Sequence, residues 1–273
     1  ATASPTLRTT FRQNRQRRIV SGQFPNPSRR LQSCNWPNEA GTHLIKGRFY
    51  IEYAWRARGS DVASTVTAEG WKLFKERLTI AEQELEKAWS IDPSDVQVAL
   101  SMMSVELGQG KGKDRLETWF QRAMAINTNN YVACFRKLTY LEPKWHGSAD
   151  EVLRFGRECL ESKEWGGRIP LILADAHQAL ADYFEGDQMK AYWRRPGVWE
   201  DCKASYEAYF KRNPNAVQVR KYYARVAQNC EQWSEVVKQL GYVQKADHGF
   251  FGGTEGFNRI LTTATQKAAE AAK

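Results

Sequence analysis

Lys87-Ala88-Trp89-Ser90-Ile91-Asp92-Pro93 and, 35 residues further on, Arg122-Ala123-Met124-Ala125-Ile126-Asn127-Thr128 decide how this chain folds. In both stretches a cation, an alanine, an isoleucine and an Asp or Asn follow in the same order. A related junction returns later, where Pro93, Val96, Gln97 and Val98 match Pro214, Val217, Gln218 and Val219 at a constant offset of 121. Repetition at a fixed period marks one supersecondary unit copied along the chain. Each copy is too small to cover its own apolar faces and is completed by stacking on the next.

Outward from these junctions the pattern is helical. Trp71, Phe74, Leu78, Ala81, Leu85 and Ala88 recur at alternating spacings of three and four, one stripe of a long helix. Shorter stripes follow at Ala99, Met102 and Met103, at Leu116, Trp119, Phe120 and Ala123, at Tyr131, Cys134, Phe135 and Leu138, and at Val152, Gly156 and Cys159. Beyond them come Leu173, His177, Leu180 and Phe184, then Trp199, Cys202, Tyr206 and Tyr209, then Val219, Tyr222, Tyr223 and Val226, and Trp233, Val236, Val237 and Leu240. No stretch alternates with period two. Punctuation agrees: Asp92-Pro93-Ser94 and Asn213-Pro214-Asn215 separate helices, Ser148 stands at the capping-box distance from Glu151, and Pro170 suits a first helical turn.

A period near 35 with a small residue before the end of the second helix and then an Asp-Pro or Asn-Pro turn resembles the tetratricopeptide repeat. The segments Leu141-Glu142-Pro143-Lys144-Trp145-His146-Gly147-Ser148 and Trp165-Gly166-Gly167-Arg168-Ile169-Pro170 are also similar to a bacterial family of tetratricopeptide-like proteins of unknown function. The resemblance implies an all-α, right-handed solenoid of about five antiparallel helical hairpins. They occupy residues 46–90, 94–127, 130–162, 168–212 and 215–244. Two features depart from the repeat: Thr128 stands where the turn proline is expected, and longer connections run over residues 60–67 and 186–198. The expected organisation is a basic extended arm over residues 1–42, the solenoid over 43–246, and a Gly/Phe loop with a carboxy-terminal helix over 247–273.

The formal charge of +9 is unevenly placed. Arg8, Arg12, Arg15, Arg17, Arg18, Arg29 and Arg30 fall within the first 30 residues, which contain no acid, and without these seven the remainder carries +2. Attraction to an anionic partner is therefore concentrated in the arm. Its Arg-, Ser- and Thr-rich composition is that of a transit peptide, but the reading favoured is a retained arm reaching along a neighbouring subunit. Location stays open, and a processed amino terminus in an exported or organellar protein is compatible with it. No run reaches the roughly 18 apolar residues of a membrane span. Five cysteines without a CxxC imply neither a zinc module nor a dense disulfide framework, and Cys134/Cys159 and Cys202/Cys230 lie on neighbouring helices, where bridged and free states are both open.

Catalytic signals are sparse. His43, His146, His177 and His248 show no ligand spacing, and Gly108, Gly110, Lys111, Gly112 and Lys113 lack both the order and the preceding strand of a phosphate loop. No metal or cofactor is expected. Tyr192, Trp193, Arg194 and Arg195, in the longest inter-helix connection, combine flat aromatic surface with paired cations, a composition enriched at binding hot spots, against the favoured alternative that they anchor the long loop onto the solenoid. The leading expectation is a non-catalytic scaffold or interaction subunit. It would bind other protein subunits with an acidic surface through its helices and the seven arm arginines. A nucleic-acid-associated repeat protein is the alternative, because arginines neutralise phosphates, but only Phe11 and Phe24 would offer base stacking in the arm. A further alternative is an enzyme with a pocket near Trp145, His146, Arg168 and His177.

Overall fold

The computed structural model describes residues 38–272, and every regular element among them is helical. In chain order these are α1 (Ala40–Arg58), α2 (Ala68–Ile91), α3 (Val96–Gln109), α4 (Lys113–Ile126), α5 (Tyr131–Tyr140), α6 (Ala149–Glu161), α7 (Ile172–Ala181), α8 (Gly186–Trp193), α9 (Val198–Arg212), α10 (Val217–Asn229), α11 (Trp233–Leu240) and α12 (Gly253–Ala271). Short 3₁₀ turns occur at Ala63–Thr65, Ile169–Leu171 and Lys245–Phe251. Two expected boundaries shift. The first helix begins at Ala40, inside the span read as arm, and the connection over residues 186–198 contains α8. No helix of the described residues is long and apolar enough to cross a membrane.

The quoted junctions close with the same side-chain hydrogen bond. Asp92 Oδ1 accepts the Ser94 N–H at 2.9 Å, and Asn127 Oδ1 accepts the Asn129 N–H at 2.9 Å. Asp95 then caps α3 by accepting from the Gln97 N–H at 2.8 Å, while Asn130 caps α5 by accepting from the Ala133 N–H at 3.1 Å. Each cap supplies an acceptor to a first-turn donor that has no intrahelical partner. The missing proline at Thr128 is therefore tolerated, because a side-chain carbonyl already closes that turn. Ala88 and Ala123 are fully buried at matching places.

Packing follows the order of the chain. α1 lies along α2 and touches α3, α3 packs on α4 and α5, α5 on α6 and α7, and α7 on α6 and α9; α10 packs on α11, and α11 on α12. Two glycines allow close helix approaches: a Cβ at Gly47 would stand 2.6 Å from Leu85 Cγ, and one at Gly156 would stand 3.0 Å from the Leu173 backbone. The main core runs continuously from Leu44 to Cys230, and a smaller one joins α10, α11 and α12 through Val236, Leu240, Phe251 and Ala264. Cys134, Cys159, Cys202 and Cys230 are free and buried within it, whereas Cys34 lies outside the described residues. Burial, with Cys134 beside it, pushes the Cys159 thiol far up, and burial holds Cys230 up at about 12, so both behave as small apolar groups.

Candidate functional site

Two buried polar networks interrupt the core. In the first, Glu82 of α2 receives Lys111 Nζ at 2.6 Å, Gln109 Nε2 at 2.9 Å and Arg115 Nη2 at 2.5 Å. Arg115 also donates through Nε to Glu106 Oε1 at 3.0 Å. Burial alone would raise the Glu82 carboxyl, but hydrogen bonds from Lys111 and Gln109 and the charges of Lys111 and Arg115 outweigh it and hold it below the usual carboxylate range. Glu106, which is fully buried, goes the other way: burial raises it despite Arg115, and its Oε2 has no partner.

The second network centres on His177 of α7. Its Nε2 lies 3.1 Å from Asp201 Oδ2 and its Nδ1 2.9 Å from the Tyr192 hydroxyl. A carboxylate only accepts, so Nε2 carries the proton and Nδ1 accepts from Tyr192. Arg157 donates to the same Asp201 oxygen at 2.8 Å. Burial lowers the His177 pKa against the pull of Asp201, which keeps the ring neutral and satisfied at both nitrogens.

These contacts correct the reading of the Tyr192-Trp193-Arg194-Arg195 stretch. Both rings are core side chains, 4% and 2% exposed, and Trp193 packs edge-on to Tyr192. Only the cations reach the surface: Arg194 pairs with Glu231, and Arg195 lies over the Tyr192 and Phe184 rings at 4.9 and 5.3 Å. The physical reason is α8 itself, which turns the segment inward so that the aromatic pair covers His177. The four residues of the expected pocket each engage different partners. Trp145 meets Trp55 and Arg58, His146 donates to the Leu107 carbonyl at 2.8 Å and lies over Tyr140, Arg168 covers Tyr131, and His177 is engaged as above. No hydrogen bond or ring contact joins any two of them. Arg8, Arg12, Arg15, Arg17, Arg18, Arg29 and Arg30 lie outside the described residues.

No protein family, curated protein or solved structure matches this chain. Its own geometry must therefore carry the functional reading. Among the described residues no group of three or more His, Cys, Asp or Glu side chains is placed to hold a metal ion. What the surface does offer is scattered apolar exposure: Ile45 and Tyr53 on α1, Val132 on α5, and Ile91 and Ile126 at equivalent helix ends, 48% and 39% exposed. One cation missed by sequence reasoning also stands out. Arg136 of α5 reaches across to α3, where its Nη1 donates to the Leu100 carbonyl and to Ser104 Oγ, the latter at 2.6 Å, and among the described residues it pairs with no carboxylate.

Proposed function

We propose that this protein is a non-catalytic scaffold or interaction subunit of a larger protein assembly, built as a tetratricopeptide-like solenoid of about five antiparallel hairpins. The observation that carries the reading is the recurrence, 35 residues apart, of the same turn hydrogen bond at Asp92 and Asn127, each followed three residues on by a side chain that caps the next helix, Asp95 and Asn130. It is reinforced by the row of contacts α1 to α3 to α5 to α7. A row of this kind presents a long surface, and Glu82 and His177 beneath it are tied into structural hydrogen bonds. The arm supplies a second, electrostatic attachment: seven guanidiniums suit an acidic neighbour, and a tether to an already bound body raises its effective concentration.

Affinity purification of the full chain from its native cells at low and high salt, with mass-spectrometric identification, tests this reading. A protein partner at fixed stoichiometry in both conditions is expected. Deleting residues 1–30 should leave helicity intact and weaken incorporation most clearly at low salt, where the arm's charges are least screened. Recovery of nucleic acid that collapses as salt rises would support the alternative of a nucleic-acid-associated repeat protein. Recovery of neither would overturn the scaffold.

A further inference from the structure

Arg58, the last residue of α1, shares three indole rings. Its guanidinium carbon lies 5.6 Å from the ring centroid of Trp55, 5.5 Å from that of Trp71 and 5.8 Å from that of Trp145. All three fall within the roughly 6 Å over which a ring face attracts a cation. The near-equal distances mean that it is stacked on none of them, unlike Arg77, 3.3 Å from the Tyr53 centroid, and Arg220, 3.6 Å from that of Phe210. Its Nη1 donates only to the carbonyls of Gly59 and Asp61, at 3.3 and 3.1 Å. Neither Arg58 nor any of the three rings makes an ion pair or hydrogen bond with a carboxylate among the described residues.

The rings are anchored and the cation is not. Trp55 and Trp71 pack edge-on to the buried Phe74 at 4.9 and 5.8 Å, and Trp55 meets Trp145 at 5.7 Å and 87°. Gly70 lets the end of α1 close on the start of α2, since a Cβ there would stand 2.8 Å from the Ala57 carbonyl oxygen. Trp145 is held by its backbone N–H, which donates to the Glu142 carbonyl at 2.9 Å, and by the neighbouring His146, bonded to the Leu107 carbonyl. The Trp145 indole N–H is buried without a hydrogen-bond partner among the described residues, whereas a buried indole usually finds one. Position 145 therefore contributes its ring and no polar contact. Arg58, by contrast, is tied to a connection whose residues from Gly59 to Thr65 are all exposed. In that connection the Asp61 carboxylate makes no ion pair among the described residues, so a displaced guanidinium finds a counter-charge three residues on.

The walls select the ligand. A primary ammonium entering them would give up hydrogen bonds to water and meet no carboxylate in return. A quaternary ammonium has no N–H to satisfy, and aromatic faces attract its charge while covering its methyl groups. We propose that Trp55, Trp71 and Trp145 form an aromatic cage for a quaternary ammonium group, with Arg58 as the plug that the ligand displaces. This site goes beyond the scaffold reading and does not depend on it.

The test follows the indole N–H resonances of the full 273-residue chain during titration with choline, beside the uncharged isostere in which carbon replaces the nitrogen. Saturable choline binding is expected, about tenfold tighter than that of the isostere, with shifts at Trp55, Trp71 and Trp145. W71A should weaken it about tenfold or more, and R58Q should tighten it several-fold by emptying the cage, a gain that a purely structural Arg58 would not give. Because Arg58 is half-buried at a helix end, R58Q remains informative if W71A fails to fold. A trimethyllysine peptide and phosphatidylcholine vesicles then distinguish a protein from a lipid source of the group; tighter binding of either supports the site. No saturable binding to wild type or R58Q, equal affinity for the isostere, unchanged affinity in a folded W71A, or R58Q binding no tighter than wild type overturns the proposal.

Discussion

The Glu82–Arg115–Glu106 network and the His177–Tyr192–Asp201 network solve the same problem, polar groups inside a helical core, with opposite proton chemistry. In the first, three helices and a loop surround two carboxylates with cations, yet Glu106 is held above its ordinary range. In the second, a neutral imidazole is sealed between a hydroxyl and a carboxylate and held below its ordinary range. A carboxyl with a raised pKa binds more protons folded than unfolded, so its contribution to stability falls as pH rises through the window above the ordinary Glu value. A histidine with a lowered pKa binds fewer protons folded than unfolded, so its contribution falls as pH drops below about 6.5. Where the two windows overlap, in mildly acidic solution, the slopes oppose each other.

Four variants break or sharpen this contrast. Arg115→Ala leaves Glu106 without its counter-charge and should cost about 3 kcal/mol at pH 8, measured by urea unfolding; the loss should shrink toward pH 5 as Glu106 takes up a proton. A loss that grows on acidification would reverse the sign assigned to Glu106. His177→Phe removes two buried hydrogen bonds and should cost about 1–2 kcal/mol at pH 7, while abolishing the destabilisation expected below about pH 6.5. An unchanged acid slope would show that some other group carries it. Glu106→Gln keeps an acceptor for Arg115 without the buried charge and should gain up to about 1 kcal/mol at pH 8, with no gain where wild-type Glu106 is already protonated. The smallest effect is expected in the double variant of Glu106→Gln and His177→Phe: since the networks share no residue, its stability should equal the summed single changes within about 0.5 kcal/mol. A larger residue would mean that the two networks communicate through the core.

The helical elements were legible because their signal is periodic and local. The stripe from Phe74 to Ala88 is buried as its spacing requires, and the Asp92 and Asn127 turns match because short polar side chains close them. α8 was hidden because its eight residues, between Gly186 and Pro196, are too few for a helical period to show among turn signals. Binding surface and loop anchor were for that reason both open for Tyr192 and Trp193, and burial favours the anchor. Glu82 follows Ala81 and looks solvent-facing from sequence; it is covered only because Lys111 and Arg115 arrive from about thirty residues away. Arg136 was illegible for a like reason, since its partners Leu100 and Ser104 are 36 and 32 residues upstream. Local pattern predicts which face is apolar, whereas the fate of a charge depends on what long-range packing brings to it.

The packing of each helix mainly on helices one to three places away also governs how fast the native state forms. Short loops close at little entropic cost, so no distant pairing has to be found before contacts repay the ordering of the chain. Nucleation can begin at any of several neighbouring helix pairs and spread in either direction. Refolding after dilution from denaturant should therefore be rapid for a chain of this length. Substitutions at opposite ends of the molecule should change different kinetic phases, because separate stretches can reach their folded state at separate times.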